Sequence, residues 1–375
     1  MKRFLIVAGD PSGDLYGSML MRSLRSRRPE VRFHAAGGPL MRHACGEGDR
    51  FHHDLASEGT TGFVEPARRL PAFLGLLGRF RRLLRGSEVD ALVCIDYYGF
   101  NRRVLAEAKS AGVPSFYYIS PHVWASRPGR VRQIRRYVER MLVIFPFEEP
   151  LYREAGVPVT WVGHPLLDLL PAAELARTDS APLRLGLLPG SRPGEIRRHL
   201  PLFLEAAVRI RRDYPDMEVT VFGAKGLGPD AYRPFLDRTQ DRGPGGAAVR
   251  LVFDDAYAER RRQRLVLTSS GTATVENALL GLPMVVVYKL AWPTYLLARA
   301  IIRVKHIAMA NILLGRRAVP ELVQHQATPQ RVAHAALELL ANPRRLQALR
   351  AELAGLRAVL GGPGATDRAA DILLS

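Results

Sequence analysis

The sequence predicts an α/β protein built from two doubly wound, Rossmann-like parallel sheets. Short apolar strands alternate with helix-like segments in each half of the chain, an order typical of parallel sheets that helices cover on both faces. The alternation is interrupted across residues 168–182, where Pro, Ala and polar residues replace the periodic pattern. A length of 375 residues also exceeds the usual size of one hydrophobic core. We therefore expect a first domain over residues 1–167, a linker over 168–182 and a second domain over 183–375.

The first half begins with the apolar strand FLIVA, which a helical pattern follows in which Leu15, Met19 and Leu24 share one face. Four further strands are expected in this half: ALVCI, SFYYIS, RMLVIFPF and VTWVG. The second half repeats the order with LRLGLLPGS, EVTVFG, VRLVF, RLVLTSS and PMVVVY. Ligands of such sheets bind outside the carboxyl ends of the strands, so we expect function in a cleft between the two halves.

Composition narrows the function classes. The formal net charge is +18, but 49 of the 54 basic residues are arginines spread along the chain, so we expect an anionic membrane surface or a phosphorylated substrate rather than nucleic acid. No apolar run is long enough to span a membrane, and the N-terminus turns polar too early for a signal peptide. Cys45 and Cys94 lack metal-binding spacing, which suits a reducing compartment. These features predict a cytoplasmic protein.

The loop LLPGSRPGEI of the second half favours a phosphate ligand. It places Gly190, Ser191 and Arg192 directly after a strand, so that backbone N–H groups and a guanidinium can converge on phosphate oxygens. The alternative is an ordinary helix N-cap, since Ser caps many helices. The loop is not a Walker A motif, because the lysine and the four-residue spacer are missing.

A second loop, SSGTATVE, has the same character. Ser270, Gly271 and Thr272 stand at an expected helix N-terminus, where free N–H groups favour anions, and Glu276 follows one turn later. A carboxylate at that place can accept the hydroxyl protons of a ribose, so the two loops together predict a nucleoside diphosphate. No D-x-D triplet occurs, and we expect neither a metal nor a cofactor.

The first half offers hydroxyl-binding and acid–base candidates. AGDPSGD places Asp10, Ser12 and Gly13 in the first strand-to-helix turn, where they can bind a sugar or phosphate hydroxyl, although Asp14 as a plain N-cap is the alternative. In CIDYYGFN, Asp96 follows an apolar strand, where burial can raise the pKa of a carboxyl and make it a general base. The alternative is a turn-forming Asp, and Asn101 is ambiguous in the same way.

Two histidine motifs have simpler interpretations. We expect His164, in VGHP, to play a structural hydrogen-bonding role, and the pair His52 and His53 to lie at the surface. Residues 68–86 form a basic amphipathic pattern rich in Leu and Phe. This pattern predicts either a helix in an anionic bilayer interface or a helix packed on its own sheet with a solvated basic edge.

Taken together, the motifs resemble the lipid-A-disaccharide synthase family of glycosyltransferases. The resemblance runs in order along nearly the whole chain: AGDPSGD, GFVE, IDYYGFN, YISPHVWASR, FPFEEPLY, VGHP, LLPGSR, SSGTATVE, MVVVYKLAWPTYLLAR and NILLGRRAVPELVQ. It implies a GT-B fold, attachment to the inner face of the inner membrane, and no metal. It also implies dimers in which C-terminal segments can be exchanged, with the C-terminal helices packed on the first domain or on a partner subunit.

The resemblance further implies a reaction. The family transfers 2,3-diacylglucosamine from its UDP conjugate to the 6-hydroxyl of 2,3-diacylglucosamine 1-phosphate and inverts the anomeric carbon. Asp96 would be the base and Arg192 would face the diphosphate. The other matched donor residues would be Ser270, Gly271, Thr272, Glu276 and Asn311.

Several positions depart from the family pattern. The family more often has Glu at position 10, Pro at 98, an acid at 99, Trp at 126 and SLPN across 308–311, where this chain has Asp10, Tyr98, Gly99, Ser126 and AMAN. A paralogue with another acylated acceptor is therefore one alternative, and a UDP-sugar 2-epimerase of similar architecture is another. A polyanion-binding protein without catalytic activity is the alternative that the net charge alone suggests.

Overall fold

The computed structural model describes residues 1–56, 70–126, 129–170, 183–224, 226–240, 249–253, 257–301 and 304–375. Two compact units result, the first from Met1–Leu169 together with Leu360–Ser375 and the second from Leu170–Val359. Residues 171–182 of the expected linker and the GFVE motif at residues 62–65 lie outside the described residues.

The first unit contains a parallel sheet of seven strands, counted over the residues described. Their bounds are Arg3–Ala8 (β1), Arg32–Gly37 (β2), Arg50–Asp54 (β3), Ala91–Ile95 (β4), Ser115–Tyr118 (β5), Arg140–Val143 (β6) and Val159–Trp161 (β7). The order across the sheet is β3-β2-β1-β4-β5-β6-β7. Because the chain order reverses between β1 and β4, the loops that follow these two strands meet at the switch point, where such sheets bind ligands.

Helices cover this sheet, as the alternating sequence pattern predicts. They are Pro11–Arg27 (α1), Pro39–Ala44 (α2), Leu70–Arg85 (α3), Tyr98–Ser110 (α4), Val123–Ser126 (α5), Arg130–Arg135 (α6) and Glu148–Glu154 (α7). The core is apolar on both faces of the sheet, with β1 and β4 almost completely buried.

The second unit repeats this arrangement with a parallel sheet of six strands within the described residues. The strands are Arg184–Leu188 (β8), Glu218–Phe222 (β9), Arg250–Val252 (β10), Leu265–Ser269 (β11), Met284–Tyr288 (β12) and Glu321–Val323 (β13), in the order β10-β9-β8-β11-β12-β13. The helices are Pro193–Ile210 (α8), Arg233–Gln240 (α9), Ala258–Arg261 (α10), Thr272–Leu279 (α11), Trp292–Ile301 (α12), Met309–Leu314 (α13), Pro329–Leu340 (α14) and Pro343–Val359 (α15). Here the switch point lies between β8 and β11.

The last helix, Ala365–Leu374 (α16), returns to the first unit. Asp168 caps it by accepting hydrogen bonds from the Thr366 N–H at 3.0 Å and the Thr366 hydroxyl at 2.8 Å. Ser23 on α1 donates to Asp367 at 2.6 Å. The C-terminal residues therefore complete the surface of α1.

Helix α3 begins inside the basic amphipathic segment. Leu76, Phe80, Leu83 and Leu84 are buried in the core of the first unit, while its arginines stay exposed and the Leu74 side chain is 56% exposed. The apolar stripe thus packs on its own sheet, as one of the two interpretations predicts. No helix among the described residues is both long and apolar enough to cross a membrane.

The expectation that His52 lies at the surface is wrong. His52 belongs to β3, stacks on His34 of β2 with ring centroids 5.2 Å apart, and meets the edge of Phe80. Burial and the neighbouring His34, Arg79 and Arg50 lower the pKa of His52 to about 4. The side chain is neutral near pH 7 and fits a half-buried sheet edge.

Candidate functional site

At the switch point of the first unit, two carboxyl side chains lie together. Asp10 follows β1 and caps α1, because its Oδ1 accepts hydrogen bonds from the Gly13 N–H at 2.6 Å and the Ser12 hydroxyl at 3.0 Å. Asp96 follows the neighbouring strand β4 and interacts with the Asp10 carboxyl. The structure thus brings three predicted residues, Asp10, Ser12 and Gly13, to the side of Asp96.

Asp14 has a different role from the helix capping that the alternative interpretation gave it. It does not cap α1 but accepts hydrogen bonds from the N–H groups of Gly38, Leu40 and Met41 at 2.8 to 3.0 Å. The capping interpretation is therefore wrong for α1, and Asp14 instead holds the start of α2 against α1.

The backbone around Asp96 is strained. Asp96 and Tyr97 both have left-handed backbones, with φ of 41° and 46°, a conformation that costs energy for residues other than Gly and recurs at active sites. The carbonyl of Asp96 accepts hydrogen bonds from the Tyr117 hydroxyl at 2.5 Å and the Asn101 side-chain amide at 2.8 Å. These bonds hold the turn that presents the Asp96 side chain.

Asn101 therefore acts inside the protein. It is fully buried, and its amide group also donates to the Ile95 carbonyl at 3.2 Å. From this position it supports the Asp96 turn, and its predicted acceptor-side role stays a prediction.

The electrostatic surroundings favour a proton acceptor at Asp96. Burial raises the pKa of Asp96 well above its ordinary range, and the carboxyl groups of Asp10 and Glu148 raise it further. A carboxylate with a raised pKa holds a proton more strongly than an ordinary Asp, which is the property that a general base needs.

Glu148 is a member of this cluster that sequence reasoning missed. It begins α7, is 1% exposed, and accepts hydrogen bonds from the Phe145 N–H at 3.1 Å and the Trp124 indole at 3.2 Å. Burial raises its pKa to about 7, while these hydrogen bonds oppose the shift. Its position after the apolar strand in RMLVIFPFEE, parallel to that of Asp96, was the available indication.

His164 is structural, as its position predicts. It is 2% exposed, its Nδ1 accepts a hydrogen bond from the Leu166 N–H at 3.2 Å, and burial lowers its pKa to about 3. A neutral, fully enclosed imidazole of this kind orders the turn after β7.

In the second unit, the loop after β8 is built around Gly190. Its φ is 123°, a backbone conformation that favours glycine, and a Cβ added there would collide with the Glu195 side chain. The Glu195 carboxylate accepts a hydrogen bond from the Ser191 N–H at 3.0 Å and lies 3.4 Å from the Arg192 guanidinium. Ser191 and Arg192 are exposed at the start of α8, where a ligand can reach them.

A buried histidine positions this loop. His199 is fully buried, and its Nδ1 lies 2.9 Å from the Pro189 carbonyl oxygen. Its Nε2 accepts a hydrogen bond from the backbone N–H of Lys289 at 3.1 Å. The two contacts require a neutral ring with the proton on Nδ1. His199 thereby joins the loop after β8 to the end of β12.

The loop after β11 lies beside it. Ser270 donates its hydroxyl to the Ile307 carbonyl at 2.9 Å, which fixes the loop, while Gly271 and Thr272 are exposed. A Cβ added at Gly271 would meet nothing within 4 Å. Open space therefore faces the N-terminus of α11, where unpaired N–H groups favour an anion.

Glu276 is held by two protein groups. Its Oε1 accepts a hydrogen bond from the Tyr257 hydroxyl at 3.0 Å, and its Oε2 pairs with Arg260. A ribose hydroxyl that bound this carboxylate would share or replace these partners. Tyr257 and Arg260 are additional residues that the sequence did not indicate.

Asn311 is bonded within the protein by all of its polar atoms. Its Oδ1 accepts from the N–H groups of Ala318 and Val319, and its Nδ2 donates to the Val319 carbonyl and the Glu321 carboxylate, all at 2.8 to 2.9 Å. These four bonds use the whole hydrogen-bonding capacity of the side chain. Asn311 is fully buried and organises the segment after α13, and its part in the donor site stays a prediction.

Comparison with known proteins identifies the family. The family model of lipid-A-disaccharide synthetase matches residues 4–359. The chain belongs to the lipid-A-disaccharide synthetase family. Relatives named lipid-A-disaccharide synthase include the Syntrophus aciditrophicus protein, 40% identical over 100% of this chain and 97% of its own length, and the Geobacter metallireducens protein, also 40% identical with the same coverage. The protein is thus a glycosyltransferase of this family.

Solved structures agree on the GT-B fold of the lipid-A-disaccharide synthetase family. The chain is similar to Acinetobacter baumannii MurG, with a TM-score of 0.63 and 16% identity over 100% of this chain and 99% of that one. It is also similar to the Neisseria meningitidis UDP-GlcNAc 2-epimerase, solved bound to UDP-GlcNAc, with a TM-score of 0.65 and 12% identity over 100% of both chains. MurG and the 2-epimerase share this fold, so the fold alone does not distinguish a glycosyltransferase from an epimerase. The family membership makes that distinction for this chain.

Proposed function

We propose that the protein transfers 2,3-diacylglucosamine from UDP-2,3-diacylglucosamine to the 6-hydroxyl of 2,3-diacylglucosamine 1-phosphate. The products are UDP and the β-1,6-linked disaccharide 1-phosphate. Family membership over residues 4–359 carries this proposal, and the two switch-point sites suit its two substrates. The first unit has the carboxyl cluster for the acceptor hydroxyl, and the second has open backbone N–H groups for UDP.

The acceptor oxygen forms the new bond. Asp96 takes the proton of the 6-hydroxyl as that oxygen attacks the anomeric carbon of the donor from the face opposite UDP, and the anomeric carbon–oxygen bond to UDP breaks with inversion. The raised pKa of Asp96 supports this role, because a carboxylate of higher pKa is a stronger base. Asp10, Ser12 and Gly13 would line the same acceptor side.

The leaving group develops negative charge on its diphosphate. Arg192 and the N–H groups around Gly190, Gly271 and Thr272 would stabilise this charge from the start of two helices. The Ser191 N–H would join them after exchanging its bond to Glu195. Ser270 would hold its loop in place, and Glu276 would accept the ribose hydroxyls after exchanging its bonds to Tyr257 and Arg260.

Both substrates carry acyl chains, so the enzyme would work at a membrane surface. Exposed arginines and Leu74 on α3 form a basic, partly apolar edge that suits the anionic inner face of the inner membrane. We propose peripheral attachment through this edge and a homodimer as the assembly.

The proposal is tested with both acylated substrates in neutral detergent micelles, following UDP release and product mass. We expect one UDP for each disaccharide phosphate, without added metal, and no product from an acceptor methylated at its 6-hydroxyl. UDP binding without disaccharide would contradict the acceptor assignment and favour a paralogue. Conversion of UDP-N-acetylglucosamine to its 2-epimer would place the protein with the epimerases instead.

A further inference from the structure

An open cavity of about 400 Å³ lies at the start of α4, a few residues after Asp96. It is lined by Tyr98, Gly99, Arg102, Arg103, Arg130 and Gln133. No role in the mechanism above uses these residues. A cavity of this volume is large enough for a sugar phosphate but not for long acyl chains in addition.

The floor of the cavity is ordered by the protein itself. Tyr98 is 8% exposed and donates its hydroxyl to Gln133 Oε1 at 2.7 Å. The Arg130 guanidinium stacks over the Tyr98 ring at 4.6 Å from its centroid. Stacking of this kind fixes the plane of a guanidinium. Arg130 is therefore oriented in advance of any ligand.

Two further guanidiniums stand at the rim. Arg102 and Arg103 are exposed, and one N–H of Arg103 donates to the Gly99 carbonyl at 2.8 Å, which uses one of its five donors. Burial raises the pKa of Tyr98, and the charges of Arg130 and Arg102 oppose that shift, so both charges act at the same hydroxyl. The arginines thus converge on one place from two helices.

The charge of the cavity is of one sign. Among the six lining residues that the structure describes, three are arginines and none is acidic. A phosphate monoester carries about −1.5 to −2 charge at pH 7 and accepts hydrogen bonds in the forked geometry that guanidiniums offer. Its chemistry matches the cavity better than that of a carboxylate or a neutral sugar.

We propose that this cavity binds the C1 phosphate monoester of the acceptor while Asp96 receives the proton of the 6-hydroxyl. The assignment rests on the proposed function. The C1 phosphate and the C6 hydroxymethyl group are attached to the two carbons that flank the ring oxygen, so a phosphate site near the base, but separate from it, is the arrangement that the acceptor needs. Tyr98 lines the cavity and is the first residue of α4, directly after the strained turn of Asp96 and Tyr97.

A paired substitution tests the attraction between the cavity arginines and the acceptor phosphate by removing two of the arginines. The double variant Arg102→Ala/Arg103→Ala should raise the acceptor KM about tenfold to a hundredfold and abolish the preference for the phosphorylated over the dephosphorylated acceptor. Arg132→Ala/Arg136→Ala removes the same charge from exposed positions that do not line the cavity and should leave that preference intact. An unchanged preference in Arg102→Ala/Arg103→Ala would overturn the proposal.

A binding measurement separates this proposal from the proposed function. A calorimetric titration with glucosamine 1-phosphate, with glucosamine as the control ligand, measures binding and needs no turnover. If the wild-type protein makes no disaccharide but binds glucosamine 1-phosphate, and Arg102→Ala/Arg103→Ala loses this binding, the reaction is rejected and the phosphate site is kept. Disaccharide formation with unaltered acceptor preference in that variant would reject the site and keep the reaction.

The same phosphate chemistry occurs on phosphatidic acid headgroups. Sedimentation with phosphatidylcholine vesicles, with and without phosphatidic acid, distinguishes this source. If Arg102→Ala/Arg103→Ala lost vesicle binding but kept its acceptor preference in micelles, the cavity would be a headgroup site and the acceptor assignment would be wrong.

Discussion

The switch points of the two sheets have the same topology and opposite chemistry. In the first unit the loops after β1 and β4 bring together acidic side chains on a strained backbone, and their shared burial raises the pKa of Asp96. In the second unit the loop after β11 exposes Thr272 and Gly271, which faces open space, and the loop after β8 exposes Arg192 beside the Glu195 carboxylate. One sheet type therefore carries a buried carboxyl cluster or an exposed helix N-terminus according to which residues follow its central strands.

Asp96→Asn should break the comparison on its acidic side and produce the largest effect. Asn tolerates a left-handed backbone nearly as well as Asp, so the turn should survive while the base is lost. We expect kcat to fall roughly 10²- to 10⁴-fold with the UDP dissociation constant unchanged. An Asp96→Asn enzyme of near wild-type kcat would remove Asp96 from the role of base.

Arg192→Ala tests the cationic side with a smaller effect. The exposed guanidinium should contribute about tenfold to kcat/KM for the donor, since its solvent exposure weakens the charge-assisted contacts. Arg197→Ala, five residues further along α8 and also exposed, is the matched control. Equal donor kinetics in the two variants would show that Arg192 does not face the diphosphate.

Asp10→Asn sharpens the comparison by separating charge from capping, and its effect should be the smallest. Asn caps helices as well as Asp, so α1 should remain folded. Loss of the Asp10 charge lowers the pKa of Asp96, and the acidic limb of the kcat profile should move to lower pH. Glu149→Gln, a charge removal on α7 beside Arg153, should leave the limb in place.

The stability of Asp10→Asn has a defined sign. A carboxyl whose pKa is raised on folding binds more protons in the native state, so the free energy of unfolding falls as pH rises through the interval between the unfolded and folded pKa values. The Asn variant should show a smaller fall over that interval in urea titrations. A steeper fall than in the wild type would contradict the coupling of Asp10 to Asp96.

Strand prediction succeeded where burial made the sequence apolar. β1, β4 and the central strands of the second sheet appear as uninterrupted apolar runs, as expected for parallel strands covered on both faces. β2 and β3 were not predicted, because His34 on β2 and His52 and His53 on the edge strand β3 interrupt the apolar pattern. β13 was not predicted either, because it begins with Glu321 directly after Pro320 and is followed by Gln324, so that no apolar run marks the strand.

The site was predictable to the extent that its residues follow strands directly. Asp10, Asp96, Gly190 and Ser270 all do so, and parallel topology brings each pair together. Asn101 and Asn311 were expected at ligands but are buried and bonded to the protein, because a motif does not indicate the direction of a side chain. Glu148 and Glu276 depend on partners distant in sequence, Trp124 and Tyr257, which no local pattern links to them.

The return of α16 to α1 has a consequence for biosynthesis. The ribosome completes β1 to β7 early, but Asp168 cannot cap α16, nor can Ser23 meet Asp367, until the last residues of the chain have been made. The surface of α1 that Ala369, Ala370 and Leu373 cover remains open to water during translation of the entire second unit. A nascent chain stalled before residue 360 would therefore expose an apolar face that the finished protein conceals.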